Sequence, residues 1–528
     1  MLPTTPKDQA IIAQSMGFPD WSGMLAILNG HRDRVSRHFE EIFSDPEDGD
    51  HALAGLWLGQ IDDEAGNERL AGLGFARVDE TRKRLQELRN STRYRQLPAT
   101  NRERLDAVGP RLIEAAAKTA NPDTTLARGL NFLETVSRRG AYLALLQQYP
   151  VALRRVADIV GSSSWAAEYL NRHPLLLDEL LDPRLLEVST DWAAFSAELW
   201  ASLDENRGDT EREMDILREK HHAQVFRLLA QDLAGLHSIE RISDHLSQLA
   251  DIMVQSTLDL CWQKLKTRHR QTPRFAVIGY GKMGGKELGY ASDLDMVFLF
   301  DDSAQEAEEL YTRLGQRLNT WLSSQTAAGM LFETDMRLRP NGDSGLLAVS
   351  VDAFRDYQLK HAWVWEHQAL TRARFCAGDP AVGARFEEIR YEILCRPRDL
   401  DALKAEVVAM RQKMADAHAT DGAGEFDLKH DRGGIIDVEF IVQYLILGHA
   451  HRHPELTGNL GNIALLAMAA QLGLIPAGLA DGARDAYREY RRRQHLKRLN
   501  DNPKARIDRA LVAQQIEAVS TLWRTVFG

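Results

Sequence analysis

A chain of 528 residues with 65 Lys and Arg against 76 Asp and Glu carries a formal net charge of −11. That balance argues against a nucleic-acid binder, which presents a basic face. With 44% hydrophobic and 27% charged residues it has the composition of a soluble globular protein, long enough for about three or four domains. Three scattered cysteines, Cys261, Cys376 and Cys395, suit neither a disulfide framework nor a zinc site and fit a reducing cytoplasm. No signal-peptide pattern opens the chain, and no run approaches the ~18 apolar residues of a membrane span. The expectation is a cytoplasmic protein without membrane contact.

Helical patterns dominate. In residues 1–45, Met24, Ile27, Leu28, Val35, Phe39 and Ile42 fall on one stripe. The acidic segment SDPEDGDH at 44–51 reads as a linker. Residues 46–150 form a helical region in which Leu126, Leu130, Leu133 and Val136 make a buried stripe; such a bundle packs or docks rather than reacts. Residues 151–270 are again helical. The adjacent pair His221 and His222 is poorly arranged to bind a metal, since neighbours on a helix do not face one another, and reads as surface.

Strand-like runs are confined to roughly 275–340, inside a unit spanning 271–400. Phe275–Ile278 is a short apolar run. It is followed by Gly279, Gly281, Gly284 and Gly285, then by Asp293 and Asp295 at the start of a second apolar run, Leu294–Phe300. Alternation puts both acids on one face of that strand. Two carboxylates side by side repel unless a cation lies between them, and their oxygens suit Mg²⁺. Glycines let backbone N–H groups approach phosphate. Neither a dinucleotide fingerprint nor a P-loop fits, because the acid and the Gly-Lys-Ser/Thr each requires are missing from the required spacing. Leu310, Leu314, Leu318 and Leu322 then mark a helix. LFETDMRLRP at 331–340 alternates like a strand, with Asp335 between charged neighbours as a candidate third metal ligand. Arg337 and Arg339 beside it are candidate charge stabilisers, since a guanidinium binds phosphate bidentately.

Residues 363–374 read as a helix carrying His367, either a structural residue or a general base. Residues 401–528 read as an all-helical region with a stripe of Leu403, Val407, Met410 and Met414. Within it, Gly433 and Gly434 precede a helix and form a possible anion site, with Lys429 adding positive charge. Asp437 and Glu439 either favour the helix dipole or face the cleft. The basic run REYRRRQHLKRLN at 488–500 reads as a solvated face.

Gly-Gly, then Asp-x-Asp, then a later strand aspartate resembles the nucleotidyltransferase superfamily of DNA polymerase beta. The longer string GYGKMGGKELGYASDLDMVFLF resembles the glutamine synthetase adenylyltransferase family of bacteria. HPLLLDELLDP (173–183), TDMRLRPNGDSGLL (334–347), WVWEHQALTRARFCAGDP (363–380) and DLKHDRGGIIDVEFIVQYL (427–445) fit that family as well. Family proteins carry an adenylyl-removing half and an adenylylating half. WEHQAL at 365–370 and the GYGK opening look like the adenylylating half, and the first ~45 residues look like the end of a preceding one. The chain then reads as part of a longer protein, with a natural single-unit homologue as the alternative.

The resemblance implies an α+β fold, mostly helical, with a small mixed-sheet polymerase-beta-like nucleotidyltransferase domain between helical domains. It implies AMP transfer from ATP to a tyrosine hydroxyl of glutamine synthetase, in control of nitrogen assimilation. Asp293, Asp295 and Asp335 would hold two Mg²⁺ ions. Gly284, Gly285 and Ser292 would hold the triphosphate, with Lys282, Arg337 and Arg339 as cations, and Lys429, Gly433 and Gly434 would reach the cleft. The PII signal protein is the implied regulator and glutamine a possible effector. The alternatives are adenylyl-removing phosphorolysis, a PII uridylyltransferase-like activity, and a non-catalytic nitrogen-sensing module.

Overall fold

The computed structural model describes residues 5–25, 27–28, 50–187, 190–417, 424–500 and 505–528. In the first stripe, Met24 is buried and Ile27 is 51% exposed. Val35, Phe39, Ile42 and most of the 44–51 linker lie outside the described residues, and a helix already begins at Asp50.

Among the described residues, the elements up to Gln263 are all helical. Among them are α1 (Ala99–Ala117), α2 (Pro122–Val136), α3 (Pro150–Ser162), α4 (Ser164–Arg172), α5 (Thr210–Leu233) and α6 (Ile239–Gln263). Their starts follow from sequence. Ser163, Asp209 and Ser238 each accept a first-turn backbone N–H with the side chain, satisfying a donor the helix cannot. Leu126, Leu130, Leu133 and Val136 sit together in the core of α1–α4, as their spacing predicts.

His221 and His222 correct the surface reading, for they are only 8% and 6% exposed. α5 is covered on more than one side. The His222 ring stacks on His173 with centroids 3.9 Å apart, and its Nδ1 meets the Tyr169 hydroxyl at 2.6 Å. His221 packs edge-on against Phe332 at 4.6 Å. Burial, reinforced by the neighbouring histidines and Arg218, pushes His221 down to about 3 and His222 to about 2. Both rings are therefore neutral in the folded chain, whereas an unfolded histidine takes up its proton near pH 6.5. Below that pH the unfolded state binds more protons, so stability is full above it and falls with falling pH. At pH 5 the loss is about 2 kcal/mol per histidine, from ~1.4 kcal/mol per pH unit. Urea unfolding at pH 7.5 and pH 5 should differ by about 4 kcal/mol from this pair, and His221→Asn with His222→Gln should remove most of the difference. An unchanged pH dependence in that variant would refute the assignment.

The sheet follows. β1 (Phe275–Gly279) pairs antiparallel with β2 (Leu294–Phe300). After β2 comes α7 (Ala307–Ser323), with Leu310, Leu314, Leu318 and Leu322 buried. β3 (Thr334–Asp335) and β4 (Ala348–Ser350) both run parallel to β2. α8 (Val351–Lys360) and α9 (Val364–Leu370) lead to β5 (Arg374–Gly378), antiparallel to β1. The strand order is β3-β2-β1-β5, with β4 also on β2. Two expectations change here. Of the alternating run 331–340 only two residues pair as strand, and β4 and β5 extend the sheet beyond 340.

β1 reads as a continuous apolar run because both its faces are covered. Ala276, Ile278, Val297 and Leu299 pack into the C-terminal core, while Phe275, Val277, Met296 and Phe298 pack against the core of α5–α7. Each such large side chain contributes about 1.5–3 kcal/mol on burial.

The C-terminal region holds α10 (Leu400–Ala417), α11 (Ile435–His449), α12 (Ala477–Leu499) and α13 (Ala513–Phe527). It is not wholly helical. β6 (Glu425–Asp427) and β7 (Arg506–Asp508) form a two-stranded antiparallel ladder. Three-residue strands are too short to leave a period-two signal. In the stripe on α10, Leu403 and Val407 are buried and Met410 and Met414 pack partly buried beside them. None of the described helices is long and apolar enough to cross a membrane.

Candidate active site

The parallel register of β2 and β3 sets Asp295 directly opposite Asp335. Asp293 lies two residues before Asp295, with Leu294 turned into the core. One carboxylate oxygen from each acid lies within 4.8 Å of the others. Burial, then the charges of Asp293 and Asp335, pushes the Asp295 carboxyl up to about 6. Three carboxylates this close favour a bound cation, and a donor set made only of carboxylate oxygens fits a hard ion such as Mg²⁺.

Gly281 shapes this floor. Its φ is +51°, and a Cβ there would lie 2.1 Å from Asp295 Oδ2. Gly281→Ala should therefore displace the Asp295 carboxylate. A misplacement of about 1 Å at a reacting centre costs on the order of 10²-fold in rate. The expected result is that loss of activity together with weaker Mn²⁺ binding by calorimetry, in a chain that still melts cooperatively. Unchanged Mn²⁺ affinity would contradict it.

The hydrogen bonds around Gly284 and Gly285 speak against a phosphate loop there. Their N–H groups donate to Tyr280 O at 2.7 Å and Gly281 O at 3.1 Å within the turn. A Cβ on Gly284 would meet the Arg372 carbonyl oxygen at 2.2 Å, and one on Gly285 the Arg372 guanidinium at 2.5 Å. These glycines let the turn close on Arg372. The Gly433–Gly434 anion site is corrected for a related reason. The Gly433 N–H donates to Asp437 Oδ2 at 2.6 Å, the Gly434 N–H to Asp431 O at 3.1 Å, and the Ile435 N–H to Leu428 O at 2.9 Å. Asp437 is likewise structural, paired with Arg411 Nε at 2.5 Å where the two side chains are 2% and 0% exposed. Arg339 is turned inward, donating to the carbonyls of Met336, Asp343 and Gly345 and so bracing its own loop. The His367 Nε2–H donates to Gln358 O (2.9 Å) and its Nδ1 accepts from Arg398 (3.2 Å); burial, then that guanidinium, holds the ring neutral, at about 4. It joins α9 to α8 and answers to the structural reading.

Other candidates do gather near the acids. Arg337 binds Asp335 through two nitrogens and keeps its carboxyl below the usual range. Ser292 accepts the Gly289 N–H at 3.0 Å and so closes the turn that delivers Asp293. Lys282 is pushed down to about 8, first by burial and then by the nearby cations Lys429, Arg491 and Arg498, with Asp293 opposing.

Sequence reasoning missed the group that assembles this cleft. The buried Glu287 carboxylate accepts from Arg372 at 2.5 Å, Arg491 at 2.9 Å and the Tyr487 hydroxyl at 2.9 Å. Arg372 also reaches Glu439 at 2.7 Å, which gives that acid a pairing role. The glycine turn, the segment before β5, α11 and α12 are thus tied through one chain of charges. Tyr290 is fixed in the same way, its ring stacked on Trp165 at 5.4 Å and its hydroxyl donating to Asp232. Arg491 belonged to the run read as solvated. An arginine at every exposed turn hides the one that faces inward.

Residues 153–389 match the family model for glutamate-ammonia ligase adenylyltransferase, and residues 401–521 the model for GlnD PII-uridylyltransferase. Curated relatives align along the entire chain. A bifunctional glutamine synthetase adenylyltransferase/adenylyl-removing enzyme of Aromatoleum aromaticum is 60% identical over 528 residues, 100% of this chain and 56% of the relative. Proteins of the same name from Chromobacterium violaceum and Neisseria meningitidis are 52% and 49% identical, again over 100% of this chain and over 58% and 59% of their own lengths. The chain spans a little over half the length of the curated relatives it matches, and along all of its own length it is similar to these bifunctional enzymes.

Proposed function

We propose that the chain transfers AMP from ATP to a tyrosine hydroxyl of glutamine synthetase and releases pyrophosphate. The observation that carries this reading is the convergence of Asp293, Asp295 and Asp335 within 4.8 Å on a mixed sheet. Asp293, Asp295 and Asp335 would hold Mg²⁺, which when bound neutralises phosphate charge and acidifies a nearby hydroxyl. Lys282 opposes the negative charge of the phosphates. Ser292 holds the turn that orients Asp293. Asp335 takes the hydroxyl proton once Arg337 has released it, since the ion pair makes it a poor base. The names of the relatives also include an adenylyl-removing activity, and the second reading is removal of that AMP by inorganic phosphate, which takes it off as ADP and frees the tyrosine hydroxyl. Regulation by PII and by glutamine belongs to the same proposal, and the match of residues 401–521 to a PII-uridylyltransferase model supports its PII part.

The test is label transfer with purified chain, Mg²⁺, glutamine synthetase and ATP labelled at the α-phosphate, with and without PII and glutamine. Label on glutamine synthetase is the expected result. Release of ADP from adenylylated glutamine synthetase and phosphate, without forward transfer, would replace the first reading by the second. Silence in both directions would leave a binding module.

A further inference from the structure

α12 turns a row of basic side chains toward the site. Arg491, His495 and Arg498 are spaced i, i+4 and i+7, so they share one face. That face, the loop holding Ser292 and Lys282 line a single pocket. Lys429, Arg491 and Arg498 all act on Lys282 as like charges. Matching acids are few. Glu287 is already shared between Arg372 and Arg491. His495 is taken by Asp232 at 2.6 Å. Among the described residues neither Lys282 nor Arg498 has an ion-pair partner. Beyond Asp293 facing Lys282 and Glu287 shared by Arg491, these cations outnumber the acids around them and repel one another, and a polyanion is the ligand that relieves them.

We infer that α12 carries part of a polyphosphate site, in which Arg491 and Arg498 with Lys282 hold the two phosphates that depart as pyrophosphate. This rests on the reading that the acidic triad handles a nucleoside triphosphate. As the hydroxyl oxygen bonds to the α-phosphorus, the bond from that phosphorus to the bridging oxygen breaks, and its electron pair leaves on pyrophosphate. The arginines face the charge that grows there, and a guanidinium fork offers two parallel donors to it. Glu287 fixes where Arg491 stands, because the Arg491 Nη2 also donates to the Glu287 carbonyl at 3.0 Å.

Inorganic tripolyphosphate is the probe, titrated calorimetrically into the full chain with Mg²⁺. Arg498→Gln is the decisive variant, since this side chain is exposed and among the described residues no side-chain hydrogen bond or ion pair holds it. It should weaken tripolyphosphate binding about 10-fold, the size of one charge-assisted contact, while AMP binds as to the wild type and Arg498→Lys recovers part of the loss. Unchanged tripolyphosphate binding in Arg498→Gln, an equal loss for AMP, or no tripolyphosphate binding by the wild type would each overturn the inference. Tripolyphosphate binding that depends on Arg498, in a chain that passes no label to glutamine synthetase, would defeat the proposed reaction and leave this site standing.

Discussion

Asp295→Asn should reduce the proposed AMP transfer by at least about 10³-fold, equivalent to some 4 kcal/mol of transition-state stabilisation. The parallel register leaves Asp295 as the central acid, facing Asp335 across the strand pair and Asp293 along the chain. An amide keeps the shape and loses the charge that would attract the ion. The same change should make the metal-free chain more stable. Burial and its two acidic neighbours raise the Asp295 carboxyl to about 6, so near pH 7 the folded state holds an anion it disfavours. Two pKa units correspond to about 3 kcal/mol, an upper value for the gain. Added Mg²⁺ should raise the melting temperature of the wild type and leave that of the variant unmoved. A variant that keeps its transfer activity, or that melts below the metal-free wild type, would contradict this account.

Asp437→Ala should destabilise the chain by about 3–5 kcal/mol, because it leaves Arg411 buried without a counter-charge. Arg411 is wholly buried, and besides Asp437 it donates to the carbonyl oxygens of His430 and Asp431. Asp437 also receives the Gly433 N–H, so its loss frees a second donor at the start of α11. The double change Arg411→Met, Asp437→Leu should cost much less than Asp437→Ala alone, since apolar residues of similar volume replace a buried ion pair with little loss. Denaturant midpoints for the two variants decide it. Equal destabilisation would mean that the charge pair is not what holds α10 to α11.

The acids could be read from sequence because their signal is local: Asp-x-Asp at the start of an apolar run needs only strand alternation to share a side. Asp335 was legible for the same reason, though the two-residue length of β3 was not, because alternation of charged and apolar side chains continues past the last ladder hydrogen bond. The glycines misled. Glycine beside a strand marks close approach of backbone, and sequence does not say to what; at Gly284 and Gly285 the neighbour is Arg372, and at Gly281 it is Asp295. Glu287 had no legible signal at all. Its meaning comes from Arg372, 85 residues onward, and Arg491, 204 residues onward. His221 and His222 show the limit of a one-helix argument, since adjacent residues can both be buried when a helix is enclosed from several directions.

The charge chain through Glu287 also says where the cleft can open. Separating α12 from the glycine turn would strand a buried carboxylate and two arginines, so that side behaves as a hinge that stays shut. β3 lies at the sheet edge, is held to β2 by a two-residue ladder, and carries an Arg337 side chain that is 74% exposed. The Asp335 side is therefore where the proposed substrates would enter and leave, with the arginine that covers Asp335 as the latch they would have to lift.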